Sequence, residues 1–149
     1  MIVGVSAVLG LAVQAPLVVR YLRGDFKGGF LAAGTFPGVV QISLAEAEDL
    51  FARGRGFFVD ARPSEDFRAG HIAGARNVPF ATADERALEA LMIVTGPDKE
   101  LVVYCSGGDC QSSLGLARLL AGRGLKEVRV FPGGWEEWTA AGLPGEEGK

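Results

Sequence analysis

The sequence predicts an α/β fold: a mostly parallel sheet of about five strands with helices on both faces, preceded by a hydrophobic helix. Three observations carry that expectation. Short apolar runs of strand length, VVQI (39–42), FFVDA (57–61), ARNVPF (75–80), LVVY (101–104) and EVRVF (127–131), alternate with segments of helical period. LVVY runs without polar alternation, which suits a strand covered on both faces. Strands that alternate with helices of about ten residues are joined by crossovers, which make neighbouring strands parallel.

The chain opens with MIVGVSAVLGLAVQAPLVV, which carries no charged side chain before Arg20. As a helix rising ~1.5 Å per residue it would reach ~28 Å, close to the ~30 Å hydrocarbon thickness of a bilayer, so residues 1–23 read as a single-pass membrane anchor. Gln14 and Pro16 interrupt the run and keep a buried soluble segment open as the alternative. Arg20, Arg23 and Lys27 follow the span and favour a cytoplasmic domain by the positive-inside rule. The segment 24–38, GDFKGGFLAAGTFPG, is glycine-rich without a period and reads as a linker. A domain over 39–145 and a short tail, 146–149, complete the expected organisation.

Within the domain, Ser43 and Glu46 form a capping-box pattern ahead of a helix whose Leu44, Ala47, Leu50 and Phe51 share a face, and Gly54 closes it. Pro63 and Ser64 start a short helical turn, SEDFRAG. Thr82 and Glu85 are expected to cap a longer helix through Leu88, Leu91 and Met92, stopped by Gly96-Pro97. SSLGLARLLAGRG carries Leu116, Leu119 and Leu120 on one side, and Trp135 and Trp138 pack the last helix after a PGG turn.

At 149 residues, 48% of them hydrophobic, the chain can bury one ordinary core. A net charge of -3 with scattered Lys and Arg offers no basic field for phosphates, which argues against a nucleic-acid partner. Two cysteines and one histidine are too few for a structural zinc site unless carboxylates join, so neither a metal nor an organic cofactor is expected.

Both cysteines fall on one loop, CSGGDC (105–110). Cys105 follows LVVY, and in an open parallel sheet reactive groups sit just beyond the carboxyl ends of the strands. Gly107 and Gly108 let backbone N–H groups turn inward, and the following helix aims its positive end at the same point, which favours an accessible thiolate at Cys105. Asp109 works against that anion. A buried, inert cysteine is the plainer alternative.

The stretches FFVDARPSEDFRAGHIAGARNVPF (57–80), LVVYCSGGDC (101–110) and FPGGWEEWTAAGLP (131–144) together resemble a single-domain rhodanese over roughly residues 40 to 145. The resemblance implies a rhodanese-like fold and a sulfurtransferase in which Cys105 accepts sulfane sulfur from a small donor, becomes a persulfide and passes the sulfur to a thiol or another nucleophile. It also implies that Ser106, Gly107, Gly108 and Asp109, with Gln111 beside them, form the substrate loop. The family's pattern often ends this loop with arginine, where Cys110 stands here. A dianionic donor would meet no attractive charge, which favours a persulfide or polysulfide over thiosulfate.

Two readings stay open for Cys110: a thiol that resolves the persulfide into a Cys105–Cys110 disulfide, or a small filler at the helix start. Asp60 and Arg62 are expected to pair near the loop as architecture, an influence on it through intervening groups being the alternative, and His71 is expected to tie a turn. Two other functions stand against the enzyme: a non-catalytic accessory subunit of a membrane complex, and a thiol redox sensor.

Overall fold

The computed structural model describes residues 36–95, 99–108 and 110–148. The expected anchor over 1–23, linker residues 24–35, the Gly96-Pro97 stop and Asp109 lie outside them. Among the described residues no helix is long and apolar enough to cross a membrane. In chain order the elements are β1 (Val39–Gln41), α1 (Leu44–Ala52), β2 (Gly56–Asp60), α2 (Ser64–Ala69), β3 (His71–Ile72), β4 (Arg76–Asn77) and a 3-10 turn (Phe80–Thr82). Then follow α3 (Glu85–Val94), β5 (Glu100–Tyr104), α4 (Ser112–Gly122), β6 (Val128–Phe131), α5 (Gly134–Ala140) and β7 (Gly145–Glu146).

Five strands form one parallel sheet in the order β1-β6-β5-β2-β4. Successive side chains of a strand point to opposite faces, so the central strands feed two separate cores. Val59, Leu101, Val103, Val128 and Val130 pack on one face against Leu88 and Leu91 of α3 and Leu116, Ala117 and Leu120 of α4. Phe58, Val102, Tyr104 and Phe131 pack on the other against Ala47 and Leu50 of α1 and Trp138 of α5. Helices therefore cover both faces, as the alternation of strands and helices predicts. Each large side chain sealed in these layers contributes roughly 1.5–3 kcal/mol of burial.

Local chemistry sets several boundaries. Ser43 and Glu46 form the expected reciprocal cap on α1, and Gly54 closes the exit at φ +65°. The start of α3 differs from expectation. Thr82 is spent in the 3-10 turn after Pro79, and extended Asp84 is the cap, its carboxylate accepting from the Ala87 N–H at 2.9 Å. The strand expected over 75–80 shrinks to Arg76–Asn77, because Pro79 has no N–H for a ladder. Leu119 of α4 is 38% exposed rather than facing inward, since the buried face is centred on Ser113, Leu116, Ala117 and Leu120.

A second, two-stranded ribbon pairs β3 antiparallel to β7, His71 opposite Glu146 and Ile72 opposite Gly145. The expected tail boundary at 146 thus cuts through a paired element. The Gly148 N–H also donates to the Arg68 carbonyl at 2.9 Å.

Candidate active site

The residue after β5 continues its alternation, so the Cys105 side chain turns toward α4 while Tyr104 turns to the opposite layer. Beyond it the chain reverses through Gly107 (φ +135°) and Gly108 (φ +57°), backbone conformations that glycine adopts without steric cost, and the Cys110 N–H closes the turn on the Gly107 carbonyl at 3.2 Å. Spent in that turn, the Cys110 amide is not part of an inward cradle.

A second glycine turn holds the loop from outside. The N–H groups of Trp135 and Glu136, at the start of α5, donate to the carbonyls of Cys105 and Ser106, each at 2.8 Å. Otherwise orphaned helix donors thereby meet the loop's backbone acceptors. Close approach requires Gly134, whose φ is +58° and where a Cβ would run into the Cys105 carbonyl oxygen. It requires Gly107 as well, where a Cβ would lie 2.6 Å from the Gly133 carbonyl oxygen. The Glu136 carboxylate stands beside Gly107. The described residues of the loop, Ser106, Gly107, Gly108, Cys110 and Gln111, contain no cation.

Cys105 and Cys110 are joined in a disulfide, with Cα atoms 6.4 Å apart. In this state Cys105 carries no free thiol, and the residue is 1% exposed, beneath α4 and its own loop. Its surroundings are nonetheless polar. Cys105 Sγ lies 3.3 Å from Ser113 Oγ and 3.4 Å from the Cys110 carbonyl oxygen. Cys110, Ser106 and Gly107 are half-buried, and Gly108 and Gln111 are exposed, Gln111 standing at the boundary of α4. A cleft of about 230 Å³ opens beside the start of the same helix, between Ala61, Pro63, Pro79, Thr82 and Ser112.

Asp60 and Arg62 form the expected ion pair. Both are buried. Arg62 Nη2 sits 2.6 Å from Asp60 Oδ2, Arg62 Nε donates to both carboxylate oxygens at 3.0 Å, and the Arg62 backbone N–H reaches Oδ1 at 2.9 Å. Arg62 Nη2 also donates to the Gly70 carbonyl at 2.6 Å, and its guanidinium lies 5.6 Å over the Trp135 ring. Burial alone would disfavour the cation, but the hydrogen bonds and charge of Asp60 outweigh it and hold the Arg62 pKa above its ordinary value. Asp60 pairs in register with Tyr104, so the pair shares the carboxyl edge of the sheet with Cys105 but faces the opposite layer.

The Tyr104 hydroxyl accepts from the Ile72 N–H at 3.1 Å. Burial first, then the Asp60 carboxylate, pushes this phenol's pKa above its ordinary value. His71 ties a turn, as expected: Nδ1 lies 2.8 Å from the Phe67 carbonyl oxygen and the ring stacks on Phe67. Ser113, Gly134 and Glu136 are the neighbours of the loop that sequence reasoning missed. The repeated glycines of FPGGWEEW were the one signal pointing to a close backbone approach. No group of metal-ligating side chains occurs among the described residues.

A family model for the rhodanese-like domain matches residues 43–141. A thiosulfate sulfurtransferase of Ectopseudomonas mendocina is 35% identical over 100 residues, which cover 67% of this chain and 84% of that protein. An HTH-type transcriptional regulator of Mycobacterium tuberculosis is 38% identical over 120 residues, 79% of this chain. The chain spans about half the length of that regulator, 50%. Among solved structures, a thiosulfate sulfurtransferase from Pseudomonas aeruginosa superposes with a TM-score of 0.59 at 26% identity, over 74% of this chain and 21% of that one.

Proposed function

The chain belongs to the rhodanese-like domain family, and from that premise we propose that it moves sulfane sulfur through a persulfide on Cys105 to a thiol or other nucleophile. The observation that carries this reading is the bridged pair of cysteines on a glycine-turned loop at the carboxyl edge of a parallel sheet. Reduced Cys105 attacks the outer sulfur of a donor persulfide. The donor S–S bond breaks, its thiolate leaves, and Cys105 carries the sulfur. An acceptor thiolate then attacks that outer sulfur and regenerates the Cys105 thiolate, one difficult transfer divided into two.

Cys110 offers a second exit. Its thiolate attacks Cys105 Sγ, hydrosulfide leaves with the electron pair of the broken bond, and the disulfide present in the structure forms. Return to the dithiol takes two electrons from external thiols. The cation-free loop with Glu136 at its side favours a persulfide or polysulfide donor over the thiosulfate dianion.

The test is intact-mass measurement of the reduced protein after polysulfide or thiosulfate. We expect Cys110→Ser to retain an added sulfur, the unaltered protein to release sulfide and end as the disulfide, and Cys105→Ser to gain nothing. Sulfur held by Cys105→Ser, or none on Cys110→Ser, sinks the proposal. A thiol redox sensor is the second reading, favoured by the disulfide and by the similarity to a transcriptional regulator. It predicts a reversible disulfide with no sulfur on any variant.

A further inference from the structure

Ser113 is the second residue of α4 and 2% exposed, a hydroxyl on a helix face otherwise made of Leu116, Ala117 and Leu120. A hydroxyl sealed from water costs free energy unless it finds a partner, and Ser113 Oγ lies 3.3 Å from Cys105 Sγ. A disulfide sulfur has no hydrogen to give, so in this state the hydroxyl is the donor. The two cysteines are also unequally covered: Cys105 is sealed at 1% exposure, whereas Cys110 is half-buried.

We propose that Ser113 is the positioning residue of the cysteine loop: its hydroxyl donates to the Cys105 sulfur, so that external thiols open the disulfide by attacking Cys110, with Cys105 as the leaving thiolate. The inference deepens the proposed sulfur transfer and rests on its assignment of Cys105 as the reacting sulfur. The step balances. A low-molecular-weight thiolate forms a bond to Cys110 Sγ, the Cys105–Cys110 bond breaks, and its electron pair departs on Cys105 Sγ. Attack follows access, and the sulfur whose anion is better stabilised leaves faster. The Cys110 carbonyl oxygen, 3.4 Å from Cys105 Sγ, turns a negative dipole end toward that anion. The Ser113 hydroxyl offsets it, with the positive end of the eleven-residue helix α4 behind it. Freed in this way, Cys105 is a poised thiolate for the next sulfane sulfur.

The chain has two cysteines, so Cys110→Ser leaves Cys105 as its single thiol, and the ultraviolet absorbance of the thiolate reports that residue alone. We expect the titration midpoint of Cys110→Ser/Ser113→Ala to lie about one pH unit above that of Cys110→Ser, and Ser113→Thr in the same background to restore it. A midpoint unmoved by Ser113→Ala overturns the proposal. In the unaltered oxidised protein, one equivalent of glutathione with iodoacetamide present should leave glutathione on Cys110 and the alkyl group on Cys105, read by peptide mapping. The reverse placement overturns it as well. Sulfur loading of Cys110→Ser is read alongside. Loading lost with the midpoint shift intact removes the sulfur-transfer reading and keeps the role of Ser113, whereas loading without the shift does the opposite.

Discussion

β2 and β5 are neighbours in the sheet, and each ends in a polar feature at the same edge, yet the two corners are built to opposite purposes. The end of β2 buries two full charges, and both are answered: each Asp60 oxygen accepts from Arg62, and the guanidinium spends a further donor on the Gly70 carbonyl. The end of β5 buries a sulfur with no charge partner, one hydroxyl beside it and a disulfide bond to Cys110. Position at the carboxyl edge is thus common to a corner that holds a buried ion pair and to one that holds the bridged cysteines. What separates them is that the charges of the β2 corner answer each other, whereas the β5 corner holds a sulfur with no charged partner.

The comparison is most severely tested by Arg62→Ala, which strands the buried Asp60 carboxylate and should cost about 3–5 kcal/mol in denaturant unfolding. An intermediate loss is expected for Cys110→Ser. The disulfide closes only a short loop, and by chain entropy its removal should cost about 2 kcal/mol relative to the oxidised protein, vanishing when both are compared in reductant. A Cys110→Ser loss equal to that of Arg62→Ala would reverse the ranking of the two corners.

The smallest effect belongs to Tyr104, whose side chain joins the β2 corner while its backbone leads into the cysteine loop. Tyr104→Phe leaves the Ile72 N–H without its acceptor and should cost about 1 kcal/mol near neutral pH. The folded phenol is held above its ordinary pKa and the unfolded one ionises near pH 10. Its contribution is therefore complete below about pH 10 and falls as pH rises past that value. Tyr104→Phe should flatten the alkaline limb of a stability profile, and an unchanged limb would show that burial and Asp60 do not hold this phenol above its ordinary pKa.

Features written in a few consecutive residues were legible before the structure. The Ser43–Glu46 cap spans four residues, and the apolar runs of β2, β5 and β6 read as strands by themselves. The loop after β5 was placed by the apolar run before it, whereas the meeting of its two cysteines stayed open in the sequence and was decided by the fold. Legibility failed where a choice was made between nearly equal local options. Asp84 took the cap that Thr82 could have filled because Pro79 had already started a 3-10 turn. The β3–β7 ribbon gives no signal, since two residues per strand carry no period and the partners lie more than seventy positions apart.

Periodicity and short-range chemistry, which act within one turn or one strand, determined the α/β class, the alternation of strands and helices, the capped start of α1 and the place of the cysteine loop. Tertiary structure alone decided that Cys105 is covered, that Ser113 meets its sulfur, that Gly134 admits the loop's backbone and that the Asp60–Arg62 pair faces the other layer. Those outcomes depend on which elements are pressed together across the sheet, and that is settled by the shared burial of two cores rather than by any stretch of sequence read on its own.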